Sequence, residues 1–246
     1  MFNDAPFLAI APKSDSPVFV FCDHATNHIP SEFNDLGLSE KDLSRHIAWD
    51  IGAETLTRQF CYTYGAGGLM AGFSRLLIDP NRAIDSPSLI PPVSDELLIP
   101  GNQNLSAAQR KARIETYYEP YHEAMDIALE TIEACANDPL IISIHSFTPE
   151  MASGETRDLD IGLLWKVDEN KALRVKAEIE RIHPYKIALN EPYSALKLNF
   201  TMDRHVIMRG LRHITLEVRQ DLIDTEAKAL VMAEHLTSAL NHFIRR

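Results

Sequence analysis

Paired cysteines are missing from this chain of 246 residues. Cys22, Cys61 and Cys135 are odd in number and far apart, without the spacing of a zinc ribbon or a small disulfide framework. They read as reduced thiols, which points to the cytoplasm. No apolar run reaches about 18 residues, and the N-terminus has no basic segment leading into a long hydrophobic one, so neither a membrane span nor export is expected. Positive charge is also scarce, with 24 Lys and Arg against 35 Asp and Glu and a net charge of −11. Phosphate backbones and anionic membranes both need clustered cations, so the expected partner is a small-molecule substrate, not nucleic acid or membrane. Repeats, low-complexity tracts and Gly/Ser linkers are absent, and oligomeric state has no signature in the sequence.

What is present is an ordinary globular composition, 45% hydrophobic and 24% charged, over a length that can bury one large core. A single domain spanning residues 1–246 is the simplest reading. Short apolar runs at residues 17–22 and 140–144 stop abruptly in polar groups, as buried strands ending in loops do. Residues 76–78, 161–165 and 213–218 are further strand candidates. Helical patterns cover 39–46, 51–64, 106–136, 169–182 and 225–244, and Ser106 with Gln109 suits an N-terminal capping box. Strands alternating with helices predict a three-layer α/β/α fold around a mixed, largely parallel sheet. The Pro-rich stretch 79–105 has little periodicity, and so long a loop is expected to act as a lid or binding wall, or else to be disordered.

Ligands in such folds bind beyond the carboxyl ends of strands. That rule brings Asp23-His24-Ala-Thr-Asn-His28 beside His145-Ser146. A neutral imidazole at a strand end can be aimed rigidly at a metal, and a catalytic zinc needs about three protein ligands. The plainer reading is that His24 and His28 cap a turn while His145 is a satisfied core histidine. Asp50, at the start of a predicted helix, is the first choice for a third ligand, although a plain N-cap would look the same. His46, Asp23 and His28 are reserves, and Asn27 is a poor donor by chemistry. Glu217 lies in a strand-like alternation where a carboxylate could shuttle a proton, or simply pair with Arg219. Arg75 and Asp79-Pro-Asn81-Arg82 could hold a carboxylate, or form an Asx turn with surface arginines. Tyr193 and His205 are candidate substrate-binding residues of the pocket, although on its own each reads more readily as structural.

Six strings, residues 22–30 (CDHATNHIP), 46–50 (HIAWD), 74–82 (SRLLIDPNR), 142–149 (ISIHSFTP), 190–194 (NEPYS) and 217–223 (EVRQDLI), together resemble the N-formylglutamate amidohydrolase family, in order and across nearly the whole chain. That family is similar to zinc carboxypeptidases and the aspartoacylase group. The resemblance implies a zinc-exopeptidase-like fold and zinc-dependent hydrolysis of an N-acyl amino acid such as N-formyl-L-glutamate. It implies His24 and His145 as zinc ligands, Glu217 as the group that activates water, Asn81 and Arg82 as the grip on the substrate carboxylate, and Arg75 as the group that polarises the scissile carbonyl. One position departs: the carboxypeptidase-like pattern has a ligand glutamate where this chain has Asn27. The strings around the first histidine and the Trp-Asp pair also differ from those of the histidine-degradation enzymes. Hydrolysis of another small N-acyl amino acid or carboxylated amide, and a catalytically silent binding protein, therefore stand beside the main expectation.

Overall fold

The strand β2 (Val18–Cys22) is buried at every residue, and its alternation shows why the sheet needs cover on both faces. Val18, Val20 and Cys22 enter one apolar core while Phe19 and Phe21 enter another. The same split occurs in β6 (Leu140–Phe147), where Ile142 and Ile144 face the first core and Ile141 the second. Strands buried on both faces read as continuous apolar runs, which is what made these two visible in the sequence. The computed structural model describes residues 4–13, 15–167 and 169–244.

Seven strands form the sheet, in the order β1-β3-β2-β6-β9-β7-β8. The others are β1 (Phe7–Ile10), β3 (Gly67–Ala71), β7 (Ile161–Leu164), β8 (Ile187–Leu189) and β9 (Arg212–Arg219), while β4 (Val93–Ser94) and β5 (Leu97–Leu98) make a separate hairpin. Strands β3, β2, β6 and β9 run parallel, β1 is antiparallel to β3, and β7 is antiparallel to β9 but parallel to β8. The expected mixed, largely parallel sheet is therefore present. One face packs on α2 (Ala53–Tyr64), α5 (Glu169–Ile182) and α6 (Glu226–Ile244), through side chains such as Leu56, Phe60, Val175 and Leu236. The other packs on α4 (Glu119–Cys135) through Tyr121, Met125 and Leu129. No helix among the described residues is long and apolar enough to cross a membrane.

Differences from the expected elements have local causes. Residues 76–78 form no strand: Leu76, Leu77 and Ile78 are fully buried in the second core but lie in turn and irregular backbone. Burial alone makes a run apolar, whatever its backbone. The short helix α1 is only Glu40–Leu43. The predicted helix 106–136 is divided into α3 (Ala107–Arg113), a π-helical turn at Ile114–Tyr118, and α4. Ser106 and Gln109 form the reciprocal capping box.

The Pro-rich segment is pinned rather than loose. Asn102 Nδ2 donates to the carbonyls of Leu76 and Pro91, both at 2.8 Å, and its Oδ1 accepts from Arg113 at 2.7 Å. Arg113, 4% exposed, also donates to the carbonyls of Leu77 and Gly101. Asn102→Ala strands two carbonyls and a guanidinium N–H. We expect a loss of about 2–4 kcal/mol in urea unfolding; a loss below about 1 kcal/mol would show that the segment is held elsewhere.

Candidate active site

The parallel strands β2, β6 and β9 lie side by side and bring their carboxyl ends to one edge of the sheet. In the β6–β9 register His145 stands opposite Glu217, so both side chains rise from the same face on neighbouring strands. His24 follows the end of β2 by two residues. Its carbonyl accepts from the Asp50 backbone N–H at 2.9 Å, which ties the approach to α2 against the strand end. Asp50 does not itself cap that helix. Gly52 does, at φ +81°, where an added Cβ would lie 2.1 Å from the Ile223 carbonyl oxygen. The left-handed turn, which glycine alone adopts freely, directs Asp50 toward the histidines.

The Asp50 carboxylate lies between the two imidazoles. Its Oδ2 is 2.8 Å from His145 Nδ1 and 3.3 Å from His24 Nδ1, and the Ser146 N–H donates to it at 3.3 Å. The rings meet edge to face at 5.1 Å. Donor atoms of His24, Asp50 and His145 all lie within 4.8 Å of one another, and all three residues are buried. Two imidazoles and a carboxylate on a convergent, rigid base are a donor set suited to a catalytic zinc or a similar divalent ion, so the residues present fit such an ion.

Charge is tightly coupled around this group. Burial opposes ionisation of Asp50, but His24 and His145 outweigh it and hold the carboxyl well below its ordinary range. Burial likewise opposes protonation of His145, yet contact with Asp50 raises it to about 9. His24 is disfavoured as a cation by burial and by Arg75, and Asp79 and Asp50 reverse that, leaving it raised. Asp79 accepts from three sides: its Oδ1 is 2.8 Å from His24 Nε2 and takes the Asn81 N–H at 2.9 Å, and its Oδ2 takes Arg75 at 2.9 Å. Although desolvated, Asp79 is held low by Arg75 and His24. The Asx-type turn expected at Asp79-Pro80 is present, and the same carboxylate orients His24. Sequence reading missed that second role, although Asp79 stood inside the string that carries Arg75 and Arg82.

Glu217 is 6% exposed and its Oε2 has no hydrogen-bond partner. Burial pushes its carboxyl up to about 7, against the pull of His145. Its neighbour in the antiparallel register with β7 is Gly162, where a Cβ would come within 2.0 Å of the Glu191 carbonyl oxygen and 3.2 Å of Glu217 Cβ. Glycine there leaves room for the acid. Around this centre, one pocket is lined by His24, Asp50, His145 and Glu217 together with Arg75, Asn81, Arg82 and Tyr193. Arg82 donates to the Asn81 carbonyl at 2.8 Å, and the Tyr193 hydroxyl accepts from Arg157 at 2.9 Å. His46, Ser146, Phe147, Thr148 and Leu198 complete the wall.

Other expected residues lie elsewhere or act differently. His205 does not line this pocket: it is 1% exposed behind it, between Asp126 at 2.8 Å and His122 at 2.7 Å. His28 faces Asp4 at 2.7 Å, and the Asn27 amide donates to the Leu43 carbonyl at 2.9 Å. Neither belongs to the group around Asp50, and the asparagine is occupied in holding the backbone ahead of it. His46 is a wall residue 3.6 Å from Asp95, with burial lowering its basicity. Asp23 is 1% exposed and lies behind His145, with burial raising its carboxyl against the opposing effect of both histidines.

Residues 16–224 match the model of the N-formylglutamate amidohydrolase family. A solved gene product of Agrobacterium tumefaciens is 32% identical, with 97% of this chain and 96% of that one covered and a TM-score of 0.90. The N-formylglutamate amidohydrolase of Ralstonia eutropha shares the fold at 21% identity, with 98% and 97% covered and a TM-score of 0.74. No curated protein sequence matches.

A metal ion can take Nδ1 of His145 only after the proton leaves. Because His145 is raised to about 9, binding below that pH releases a proton, and apparent zinc affinity should rise about tenfold per pH unit for each proton displaced. Calorimetry in buffers of different ionisation enthalpy measures this release, and an affinity independent of pH would contradict it.

Proposed function

This chain belongs to the N-formylglutamate amidohydrolase family, and from that premise we propose that it is a metal-dependent hydrolase of N-acyl amino acids, with N-formyl-L-glutamate as the leading substrate and formate and L-glutamate as products. The observation that carries the reading is convergence. One pocket holds the His24, Asp50 and His145 donor group, a buried acid without a partner, and two arginines beside an asparagine. Asp50 stands where it can supply the donor that Asn27 does not, which supports a hydrolase over a silent binding protein.

Each residue has work suited to its surroundings. His24, Asp50 and His145 would hold the ion, whose chemistry when bound is Lewis-acid polarisation of the scissile carbonyl and of water. Glu217 Oε2 takes the proton from the attacking water and returns it to the departing nitrogen. An acid pushed up to about 7 is close to the optimum for exchanging protons in both directions at neutral pH. Arg75, held by Asp79 at 2.9 Å with Asp50 at 3.6 Å, keeps its guanidinium fixed where charge develops on the carbonyl oxygen. Arg82 and Asn81 bind the substrate carboxylate, for which a planar fork of N–H donors is the natural partner. Tyr193 and the His46 wall shape the remaining space.

Glu217→Gln keeps the shape of the side chain and removes the base, so formate release from N-formyl-L-glutamate should fall at least about 100-fold with zinc content unchanged. Turnover near that of the parent would remove Glu217 from the chemistry. Arg82→Ala should act on binding: KM should rise at least about 10-fold with kcat changed much less. An unchanged KM would take Arg82 out of the substrate grip.

A further inference from the structure

The two histidines of the donor group are placed alike on their inner side and differently on their outer side. Both present Nδ1 to Asp50 Oδ2. Behind His24, Nε2 already has Asp79 at 2.8 Å. Behind His145, Nε2 has Asp23 Oδ2 at 3.7 Å, beyond hydrogen-bond range, and that oxygen is buried with no partner. A buried carboxylate oxygen left unmatched is costly, and His145 Nε2 is the ring nitrogen that faces it.

The Asp23 carboxylate is held by a neighbour of its own. Tyr121, fully buried on α4, donates its hydroxyl to Asp23 Oδ1 at 2.8 Å across 98 residues of sequence. The Thr201 hydroxyl, directed at the Pro80 carbonyl at 3.4 Å, lies near enough to favour the Asp23 carboxylate as well. Tyr121 thus occupies one carboxylate oxygen and leaves the other facing His145.

The two ring nitrogens of His145 thus face two carboxylates, Nδ1 toward Asp50 at 2.8 Å and Nε2 toward Asp23 at 3.7 Å. An ion bound at Nδ1 requires a lone pair there, and a neutral imidazole then carries its proton on Nε2, directed at Asp23. We propose that Asp23, held by Tyr121, is the positioning residue that fixes His145 as an Nδ1 ligand, an outer carboxylate for the second histidine as Asp79 is for the first. This rests on the metal-dependent reading above. It makes the adjacent residues Asp23 and His24 serve different imidazoles: His24 offers a donor directly, while Asp23 supports His145 from behind.

The test is zinc binding by the metal-free protein, followed by competition with a chromophoric chelator, for the parent chain, Asp23→Asn, Tyr121→Phe and His145→Ala. Loss of an outer partner typically costs 10–100-fold in metal affinity. Asp23→Asn should weaken zinc at least about 10-fold, and Tyr121→Phe should fall between it and the parent, with the circular dichroism and melting of the metal-free proteins unchanged. In the zinc-loaded proteins, ¹⁵N-labelled histidine spectra should show the His145 proton on Nε2, hydrogen-bonded in the parent and shifted in Asp23→Asn, a change that a merely structural role for Asp23 would not produce.

Parent-like affinity in Asp23→Asn, or a His145 proton on Nδ1 in the loaded protein, overturns the proposal while leaving the metal site standing. Should Asp23→Asn fail to fold, Tyr121→Phe decides, and parent-like affinity there overturns it. A parent chain that binds no zinc, or binds it equally after His145→Ala, overturns the metal reading itself and this proposal with it.

Discussion

Asp50 carries an electrostatic burden on which the geometry of the site rests. A carboxylate 3% exposed loses most of its hydration, a penalty of several kcal/mol for an ion that finds no compensation. Here compensation comes from two imidazoles and, at 3.6 Å, from Arg75. The same contacts raise the basicity of His24 and His145 against the burial that opposes it. The donor group is thus charge-balanced within the fold itself, with its donor atoms within 4.8 Å of one another. Asp79 and Asp23 extend the alternation of charge outward, each behind a different imidazole.

This arrangement depends on a sheet whose central strands run parallel. Parallel neighbours place all their carboxyl ends on one edge, so residues from β2, β6 and β9 converge although they are far apart in sequence. The antiparallel strand β7 then passes Glu217 with a glycine, and Asn81 and Arg82, at the start of the Pro-rich segment, line the pocket. Asn102 and Arg113 pin the rest of that segment with fixed hydrogen bonds to the carbonyls of Leu76, Leu77, Pro91 and Gly101.

Much of this was legible because the functional residues sit where buried strands stop. The runs ending at Cys22 and at the His145 region were visible as continuous apolar segments, and the fold class followed from their alternation with helices. Strands β1, β3 and β8 were not: they are short, and β3 begins with two glycines, so no pattern marks them. Residues 76–78 misled for the opposite reason, being apolar from burial without being extended. In the site, Asp50 could be named but its reason could not, since an aspartate near a helix start looks like a cap whether or not Gly52 takes that role. His205 looked like a pocket residue because a histidine beside polar neighbours reads alike in a cleft and in a buried network with Asp126. Tyr121 carried no signal at all. Its partner is 98 residues away, and on a helix it reads as one more core aromatic.

The pairing of His145 with Glu217 bears on which length changes in the gene the protein could survive. Side chains on a strand alternate between faces, so a one-residue slip exchanges every inward residue for an outward one. An insertion or deletion between residues 212 and 216 that kept β9 in the sheet would carry Leu216 or Val218 to the position beside His145. Such a chain would still bury an aliphatic surface there and could fold, yet it would have lost its acid. Codon-length variation in this strand therefore separates folding from chemistry more sharply than most point substitutions do, and natural relatives that keep the chemistry should show none in it.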